Sequence, residues 1–449
     1  MMVKVEKIKY LIIGNSAGGI GAAEAIREVD GGGALTIISD EPYPAYSRPL
    51  ISEHLSEGRP LERMLYRLPD FYEKNKIGTI FGERVAQVDF SGHSLELESG
   101  RKLAWQKLLL ATGGAPIVPK MEGIELKGVF TFTRLDDVRA IDQFLNQHQG
   151  KTQALVIGGG LIGVSATEAL VKRGVGVTIV EMKDWILNTI LDEEAAALEE
   201  KALTEAGVDI ITGHTVAKLN KNSSGEVSGA NLDDGWSLAC DMVVVAIGVT
   251  PRLELMADSR IKTKRGIVVD RRMKTSIADV YACGDVAEAY DFVYGENRVT
   301  PVWPNAYVGG RIAGQNMAGG KAEYQGGTAM NALKYFGVNI VSAGMVTPPD
   351  KSYEVISRRD NDIYKKVIIK DGLVVGLVFA GDIEKSGIIY NLMKDKVNVE
   401  AFKDALVADD FGLASLPEEI WRARLEIPPS EVAYIVPPVE KPEEAVIGE

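Results

Sequence analysis

Two stretches of this sequence share one pattern and decide its fold: residues 11–26 are LIIGNSAGGIGAAEAI, and residues 155–170 are LVIGGGLIGVSATEAL. The stretches align without a gap, so that Gly14 corresponds to Gly158. A repeat at such a long spacing is not the period of a solenoid. It predicts instead that the chain contains two similar domains.

Each copy continues with the same order of local elements. An apolar run before the glycines is typical of a buried parallel strand, and a helical stretch follows the turn. Glycines end that helix at residues 31–33 in the first copy and at Gly174 in the second. A second apolar run follows at 35–39 and at 177–181. The sequence therefore predicts two βαβ units.

The glycine spacing in both copies is typical of a dinucleotide-binding turn. The first glycine permits a tight bend, the second lets the backbone approach a pyrophosphate, and the third lets the helix pack on the strand. The helix N-terminus then faces the anion. A single GxGxxG also occurs in simple strand–helix turns, but two copies in the same context predict two dinucleotide sites. The predicted contacts are Gly14, Ser16 (in the middle glycine's place) and Gly19 in the first site, and Gly158, Gly160, Ile162 and Gly163 in the second.

An acidic residue at the end of the second strand of such a unit binds the ribose hydroxyls. In the second copy this residue is Glu181. In the first copy the aligned residue is Ser39, and we assign the role to Asp40, which follows it. A carboxylate at Glu181 repels a 2′-phosphate, so the sequence favours NADH over NADPH, although Lys183 is close by.

Length and composition place the chain among soluble globular proteins. Its 449 residues suggest about three domains. Hydrophobic residues make up 46% and charged residues 25%, which excludes a disordered or collagen-like chain. No apolar run is long enough for a membrane span, and the first ten residues lack the apolar core of a signal peptide. We therefore predict a cytoplasmic protein that does not enter a membrane.

Charge and cysteine content exclude further classes. The net charge of −13 argues against nucleic-acid binding, which needs a basic surface. The two cysteines, Cys240 and Cys283, are far apart, so no thiolate cage for zinc or an iron–sulfur cluster is predicted. The four histidines are scattered as well. The sequence predicts no metal site.

Four further motifs accompany the two βαβ units. They are ATGG at 111–114, AIGVTP at 246–251, YACGD at 281–285 and WPNA at 303–306. Each alone is explained by a turn, a helix cap or a packing residue, but their order and spacing around the two units are specific. With them the chain resembles the FAD- and NAD(P)H-dependent pyridine nucleotide oxidoreductases over about residues 8–400.

The resemblance implies the residues that contact FAD. Asp285 would hydrogen-bond the ribityl chain, and a helix starting near Trp303 would point its positive N-terminus at the pyrimidine ring and stabilise the anionic reduced flavin. Gly248 would mark the strand end where the chain leaves the NAD domain. The other implied FAD contacts are Ala111, Thr112, Gly113, Gly284, Asn305 and Ala306.

The resemblance also implies an α/β fold with two Rossmann-like domains and a C-terminal α+β domain. The FAD-binding domain would be split by insertion of the NAD-binding domain. Related enzymes often use the C-terminal domain to cover the flavin or to form a dimer, so a homodimer is possible. The implied division is 1–117 with 245–325 for FAD, 118–244 for NAD, 326–411 for the C-terminal domain and 412–449 for a Pro-rich acidic tail.

One segment narrows the function. Residues 46–52, YSRPLIS, resemble the flavin-facing segment of NADH-dependent rubredoxin and ferredoxin reductases, nitrite reductase flavoprotein modules and flavoproteins paired with carbon monoxide dehydrogenases. The resemblance places Arg48 and Pro49 against the flavin, and makes Arg48 the predicted catalytic residue because its charge would neutralise reduced FAD. Other family members carry a redox cysteine within the segment 42–58, which has none here. Cysteine-based disulfide reductase and peroxidase activities are therefore not expected.

Two positions depart from the family pattern. The NAD motif of relatives places a glutamate two residues beyond the third glycine, where it helps to position nicotinamide; this chain has Ser165. The ferredoxin-reductase branch commonly has lysine where this chain has Glu53. We expect Glu168, one turn beyond Ser165, to be a surface residue.

The function implied by the resemblance is hydride transfer from NADH to N5 of FAD, followed by single-electron transfer to a ferredoxin, a rubredoxin or an iron–sulfur partner subunit. The reverse direction is equally compatible. Two alternatives remain: an NADH oxidase that makes peroxide from oxygen, and a non-turnover flavoprotein subunit of a larger redox complex.

An acidic carrier protein would need a basic docking face on this chain. There are two candidate faces: Arg59, Arg63, Arg67, Lys74 and Lys76, or Arg358, Arg359, Lys365 and Lys366.

Overall fold

The first dinucleotide unit builds the centre of a mostly parallel sheet. The computed structural model describes residues 6–148, 150–257 and 259–425 of the protein. The first elements in chain order are β1 (Glu6–Ile13), α1 (Ala17–Val29), β2 (Leu35–Ser39), α2 (Ile51–Glu57), α3 (Phe71–Lys74), β3 (Ile77–Phe81), β4 (Val85–Asp89), β5 (Ser94–Leu97), β6 (Lys102–Leu110) and β7 (Gly114–Pro116). The strand order is β3-β2-β1-β6-β5-β4. Strands β1, β2, β3 and β6 are parallel because α1 and the longer connections cross over the sheet.

The second dinucleotide unit forms its own five-stranded parallel sheet. Its elements are β8 (Val129–Thr131), α4 (Leu135–Gln147), β9 (Gln153–Ile157), α5 (Leu161–Lys172), β10 (Gly176–Glu181), α6 (Glu193–Glu205), β11 (Asp209–Thr212), β12 (Val216–Lys221), β13 (Val227–Leu232), β14 (Ser237–Ala239) and β15 (Met242–Val245). The parallel order is β11-β10-β9-β15-β8. Strands β12 to β14 form a separate antiparallel sheet that shares a core with the parallel one.

The chain then returns to the first domain. The returning elements are β16 (Val249–Pro251), β17 (Ile267–Val268), β18 (Val280–Ala282), β19 (Ala287–Asp291), β20 (Glu296–Val299) and α7 (Trp303–Met317). Strand β18 joins the first sheet beside β6, so the first domain is made of two chain segments. Strands β7 and β16 pair antiparallel, which shows that the outward and return crossings run side by side.

Helices α1 and α7 cross in backbone contact. A side chain at Gly310 would overlap the backbone of Gly18, and one at Gly314 would overlap that of Ala22. Glycines at the crossing therefore allow the two helices to approach more closely than side chains would permit. This close packing holds the N-terminal ends of α1 and α7 on the same domain, although they are almost 290 residues apart in sequence.

The C-terminal domain is an antiparallel sheet with helices on one side. Its elements are β21 (Met330–Tyr335), β22 (Val338–Gly344), β23 (Glu354–Asp360), β24 (Ile363–Lys370), β25 (Leu373–Ala380), α8 (Ser386–Lys394) and α9 (Glu418–Leu425), in the sheet order β21-β22-β25-β24-β23. Asp371 and Gly372 join β24 to β25 in a hairpin, and both have positive φ (52° and 74°), which suits a two-residue turn. The packed core continues through Leu416, and residues 426–449 of the expected tail lie outside the described residues.

The C-terminal domain docks on the second dinucleotide domain through α6. Asp192, which caps α6, accepts hydrogen bonds from the Tyr364 hydroxyl (2.8 Å) and the Lys366 ammonium (2.6 Å). The α/β fold with two dinucleotide domains and a C-terminal α+β domain is thus confirmed. Among the described residues, no helix combines the length and the apolar character that a bilayer span requires.

Candidate functional site

The two glycine-rich turns have the same backbone geometry. The Gly14 amide donates to the Ile38 carbonyl at 2.8 Å, and the Gly158 amide donates to the Val180 carbonyl at 2.8 Å. Gly14 and Gly158 have φ angles of 120° and 104°, which side-chain-bearing residues rarely adopt. The equivalent hydrogen bonds show that Glu181 corresponds to Ser39, as the sequence alignment predicts.

The third glycines let each helix approach its turn. A Cβ atom at Gly19 would overlap the Gly14 carbonyl, and one at Gly163 would overlap the Gly158 carbonyl. The helix-start position is Ser16 in α1 and Gly160 in α5, and Ile162 lies in the first turn of α5. Among the described residues, no atom outside the local backbone lies within 4 Å of the place that a Gly160 side chain would occupy. That open space is where a pyrophosphate can approach the backbone.

A cleft of about 320 Å³ opens beside the first turn. Gly14, Asp40, Thr112 and Arg252 line it. Ala111 is anchored by its amide to the Ile13 carbonyl at 2.8 Å, and Gly113 follows at φ 69° with open space in front of it. The cleft thus joins both predicted FAD motifs at the carboxyl edge of β1 and β6. Its size and its free helix N-terminus fit the adenosine diphosphate half of FAD.

Asp40 is held by two arginines that the sequence analysis missed. Its carboxylate accepts from Arg134 at 2.8 Å and from Arg252 at 3.3 Å. Burial alone would raise the pKa of Asp40, but Arg134, Arg252 and Arg48 outweigh it and lower the pKa. Arg134 lies between β8 and α4 of the second dinucleotide unit, so this pair of contacts also ties the two units together. Any ribose contact of Asp40 would share its oxygens with these arginines.

Arg48 lies at the junction of the two domains. It forms an ion pair with Glu41 and donates to the Thr133 carbonyl at 3.0 Å. Glu41 is 5% exposed and also accepts from the Tyr46 hydroxyl at 2.6 Å. Glu41, which no sequence motif singled out, fixes the guanidinium and balances part of its charge. Pro49 lies in the same 3₁₀ turn, which leads directly into α2.

The predicted flavin end brings Asp285 and Arg48 together. Asp285 is half-buried; burial raises its pKa, while the nearby charge of Arg48 acts in the opposite direction. Gly284, at φ 72°, lies against Ala306 in the first turn of α7. The Asn305 amide donates to the Thr328 carbonyl at 3.0 Å. The N-terminus of α7 is therefore fixed beside Asp285, as the motif order predicts.

Both cysteines are buried. Cys283 is 1% exposed and packs under the first turn of α1, close to Gly18. Cys240 is 4% exposed in the core between the two sheets of the second dinucleotide unit. Burial raises the pKa of each thiol to about 12, so both are protonated and unreactive at neutral pH.

The second site presents Glu181 at the end of β10. Its carboxylate accepts from the Gly159 amide at 2.7 Å and the Lys183 amide at 2.8 Å. These bonds fix the carboxylate next to the glycine turn, where a ribose would lie. Gly248, at φ 118°, follows β15, and its carbonyl accepts from the Ile117 amide at 2.9 Å.

The expectation that Glu168 is a surface residue is wrong. Its side chain is only 22% exposed and pairs with Lys172 at 3.5 Å. It also accepts a hydrogen bond from the Phe336 amide at 3.2 Å. Glu168 was misjudged because the C-terminal domain, which is remote in sequence, covers this face of α5.

A carboxylic acid that the sequence analysis did not single out lies near Glu168. Glu199 of α6 is fully buried, and neither carboxylate oxygen has a hydrogen-bond partner among the described residues. Burial raises the pKa of Glu199 to about 8, and the negative charge of Glu168 adds to the effect. Glu199 is therefore mostly protonated at neutral pH.

The variant Glu199→Gln should lose part of the pH dependence of stability. Between about pH 4.5 and pH 8 the folded protein keeps a proton on Glu199 that the unfolded chain releases. Stability therefore falls as pH rises through this window, by up to about 1.4 kcal/mol per pH unit. Urea unfolding at pH 5, 6.5 and 8 should show Glu199→Gln gaining stability relative to wild type as pH rises. The exposed Glu205→Gln is the control, and parallel pH curves for Glu199→Gln and wild type would contradict the assignment.

The second basic docking candidate is wrong. Each of its four cations pairs with a carboxylate, and two of the lysines are buried. The charges therefore support the C-terminal domain and its contact with α6 rather than form a free basic face. The pairs are Arg358–Asp409, Arg359–Glu194, Lys365–Asp382 and Lys366–Asp192.

Ion pairs also neutralise several cations of the first candidate docking face. Arg67 is bound to Glu24 at 2.5 Å and is only 22% exposed, so it is a structural cation. Arg59 and Lys74 also have acidic partners, Glu53 and Asp70 respectively. Arg63 remains exposed. It precedes Met64, whose carbonyl accepts from the Ser47 amide at 2.8 Å, so Arg63 lies next to the flavin-facing segment.

One group of metal-capable side chains lies at the surface. His214 Nδ1 is 3.1 Å from Asp233 and 3.8 Å from Asp234. The two acids are exposed, and such groups are common without an ion. This group lies outside the two dinucleotide turns, and the absence of a metal site stays a prediction.

The comparisons with known proteins agree with this geometry. Residues 8–310 match the family profile of the pyridine nucleotide-disulphide oxidoreductases. The chain belongs to this family. Residues 330–397 match the C-terminal domain of rubredoxin NAD⁺ reductases. The oxidoreductase resemblance drawn from the sequence motifs is confirmed, and the two matches cover the dinucleotide domains and the C-terminal sheet.

Relatives and solved structures of similar length support the same assignment. The chain is 30% identical over 93% of its length to the epsilon subunit of an NADH-dependent phenylglyoxylate dehydrogenase from Aromatoleum evansii, covering 99% of that protein. It is 30% identical to an NADH-rubredoxin oxidoreductase from Clostridium acetobutylicum, covering 84% of this chain and 92% of the relative. A ferredoxin reductase structure from Rhodopseudomonas palustris superposes with a TM-score of 0.76 at 25% identity, covering 83% of this chain and 91% of that one.

The oxidoreductase therefore uses FAD and NADH as its cofactors. Its residues fit this pair, since the first turn opens on a cleft and the second holds the Glu181 carboxylate beside its glycines, at the predicted ribose position. The helix of each turn begins beside its first glycine, which leaves amide donors free for a pyrophosphate. Which side chain contacts which cofactor atom stays a prediction.

Proposed function

We propose that this oxidoreductase passes electrons between NADH and a one-electron carrier protein of the ferredoxin or rubredoxin type, without a redox-active cysteine. The burial of both cysteines carries the proposal. Each thiol has a pKa of about 12 and is shielded from solvent, so neither provides a thiolate relay between flavin and acceptor. Electrons would then leave the flavin directly.

The two dinucleotide turns would bind different cofactors, FAD at the first turn and NADH at the second. FAD, when bound, accepts a hydride from nicotinamide at N5 and releases its electrons one at a time. Gly14, Ser16, Gly19, Ala111, Thr112 and Gly113 would hold its phosphates and adenosine. Gly284, Asp285, Asn305 and Ala306 would hold its ribityl and pyrimidine end. NADH would lie along Gly158, Gly160, Ile162 and Gly163, with Glu181 on its ribose and Gly248 at the crossing between domains.

Arg48 would act through charge at the flavin end. Its guanidinium is fixed by Glu41 and the Thr133 carbonyl. It is therefore preorganised and loses little conformational entropy when the flavin binds. The paired Glu41 carboxylate weakens its field, which keeps the arginine from over-stabilising the reduced state. The Tyr46 hydroxyl, on the same carboxylate, locks this arrangement.

A specific observation favours a second candidate. The relative from Aromatoleum evansii, which this chain spans almost completely, is named as one subunit of an NADH-dependent dehydrogenase. In this second function the protein would be the NADH-oxidising flavoprotein subunit of a larger redox complex. Its electron acceptor would then be an iron–sulfur group on a partner subunit instead of a diffusing carrier.

An anaerobic assay separates these functions. Purified protein is titrated with NADH while flavin absorbance is followed, and then mixed with rubredoxin, with a ferredoxin or with oxygen. Stoichiometric bleaching followed by rapid carrier reduction is expected. Bleaching with rapid peroxide formation but no carrier reduction would instead establish an NADH oxidase. Bleaching without reduction of either would favour the subunit function, and a flavin that NADH leaves oxidised would overturn the proposal.

The exposed Arg63 gives a test of docking. Arg63→Glu should slow rubredoxin reduction at low salt by about fivefold, because a rim charge mainly sets the association rate. NADH-to-ferricyanide turnover should stay unchanged, since a small acceptor needs no docking face. Lys264→Glu, an exposed cation outside the two turns, is the charge-matched control. Equal loss of both activities in Arg63→Glu would refute docking at this place.

A further inference from the structure

The first glycine turn differs from the second at the residue after its first glycine. Asn15 stands in the first turn where Gly159 stands in the second. The Gly159 amide donates to the Glu181 carboxylate at 2.7 Å, and a side chain there would crowd Ile186. The structural equivalent of Glu181 in the first unit is Ser39, whose hydroxyl accepts from another amide at 3.2 Å. The two turns are therefore braced in different ways.

The side chain of Asn15 braces the first turn. Its Nδ2 donates to the Tyr43 carbonyl at 3.2 Å, and its Oδ1 accepts from the Tyr72 hydroxyl at 2.8 Å. Only the amide nitrogen can donate to a carbonyl, so these two contacts fix the orientation of the side chain. Tyr43 begins the stretch of chain that leads to Arg48. Asn15 therefore joins the predicted diphosphate turn to the segment that we assign to the flavin.

The Tyr72 hydroxyl contacts both of these segments. It accepts from the Ala45 amide at 2.9 Å, so its own proton is directed to Asn15. Burial raises the pKa of Tyr72, and the hydroxyl keeps this proton at neutral pH. The ring is packed edge-to-face on Phe81 of β3, with the ring centres 5.3 Å apart. Tyr72 is thus already ordered and loses little entropy when a ligand binds.

The segment held by Tyr72 leads directly to Arg48. The Ala45 carbonyl accepts from the Tyr66 amide at 2.8 Å, so both polar groups of this peptide are bonded. The next residue, Tyr46, donates from its hydroxyl to Glu41 at 2.6 Å, and Glu41 in turn pairs with Arg48. Three residues span at most about 10 Å of chain. A displacement at Ala45 therefore changes the position of Arg48.

We propose that Tyr72 is a positioning residue for FAD, and that its hydroxyl holds the diphosphate turn at Asn15 and the flavin-facing segment at Ala45 in one fixed arrangement. Tyr72 acts through these two residues and touches neither end of the cofactor. Without the hydroxyl, Asn15 Oδ1 and the Ala45 amide lose their common partner, so both ends of the site loosen together. The proposal rests on the proposed binding of FAD at the first turn.

A double-mutant cycle on the flavin-loaded protein tests this role. FAD release on dilution, followed by flavin fluorescence, gives the dissociation constant. Tyr72→Phe and Asn15→Ala should each weaken FAD binding about tenfold, the effect of one lost hydrogen bond. The double variant should be no weaker than the weaker single variant, because both substitutions break the same bond. The potential of the bound flavin should become more negative in Tyr72→Phe, because Arg48 is then held less firmly near the reduced ring.

Tyr10→Phe is the matched control. It removes the hydroxyl of a buried tyrosine in the same sheet, where that hydroxyl donates to Asp30 at 2.9 Å beyond the C-terminal end of α1. Unfolding by urea should show a loss of stability similar to that of Tyr72→Phe. FAD binding should stay within about twofold of wild type, and the flavin potential should not move, since neither FAD segment is touched.

Three results would overturn the role of Tyr72. They are FAD binding that Tyr72→Phe leaves unchanged, additive losses of about 100-fold in the double variant, and equal losses in Tyr72→Phe and Tyr10→Phe. Weaker binding with an unchanged flavin potential would confine Tyr72 to the diphosphate turn, and this also contradicts the proposal. These measurements require neither NADH nor a carrier protein. Failure of the proposed electron transfer would therefore be seen separately, in the anaerobic assay.

Discussion

Gly19→Val should yield a protein that purifies almost without flavin, whereas Gly163→Val should keep FAD and lose its reduction by NADH. In each case the new side chain overlaps the carbonyl of the first glycine of the turn, Gly14 or Gly158. The helix must then move away from the strand, and the pyrophosphate loses its cradle. Overpacking of this kind costs about 1–3 kcal/mol, which corresponds to a loss of about 5-fold to about 140-fold in cofactor binding.

The repeat makes these two variants controls for each other. Each carries the same substitution at the same place in its turn, so only the assignment of cofactor to turn distinguishes their phenotypes. The measurements are the ratio of flavin to protein absorbance after purification and the rate of anaerobic bleaching by NADH. Gly31→Val, at an exposed glycine with no atom close to its side-chain position, should leave both unchanged. Loss of flavin from Gly163→Val with retention by Gly19→Val would reverse the assignment.

Glu181→Gln should reduce the preference for NADH over NADPH by at least about 100-fold, measured as the ratio of kcat/KM values. The wild-type carboxylate is fixed by the Gly159 and Lys183 amides at the predicted ribose position. At about 4 Å and an effective dielectric constant of about 20, each unit charge of a 2′-phosphate would be repelled by about 4 kcal/mol. Glutamine removes this repulsion and also weakens the acceptor for the ribose hydroxyls of NADH.

Asp184→Asn is the matched control for this variant. It removes one carboxylate charge three residues away, at an exposed position. Because solvent screens that charge, the coenzyme ratio should change little. If Glu181→Gln and Asp184→Asn gave the same small change, the ribose would not lie at Glu181.

The sequence by itself determined the two βαβ units, their glycine turns and the order of the domains. These features are local. Backbone sterics within a few residues decide whether Gly14 and Gly158 can bend the chain. The same holds for the hairpin at Asp371-Gly372. The residue types therefore indicate this local backbone structure directly. The repetition of one pattern at two places made the prediction of two βαβ units specific.

Only the tertiary structure decided how the charges of the site are paired. Arg48 and Arg67 look equally available in sequence, yet one is held by Glu41 and the Thr133 carbonyl, and the other by Glu24. The buried lysines of β24 were misread as a docking face for the same reason. An ion pair requires two groups within about 4 Å, and a short sequence pattern contains no information about which distant acid arrives there.

The same reason explains the residues that the sequence analysis missed. Asp40 meets Arg252 across 212 positions of the chain, and Tyr335 reaches Leu161 across 174. These contacts exist because the split domain and the C-terminal sheet close on the NAD-binding domain. The sequence thus determined where the two glycine turns lie, since a turn depends on local backbone geometry. The packing of distant segments decided which side chains surround them, since that depends on the summed contacts of the whole fold.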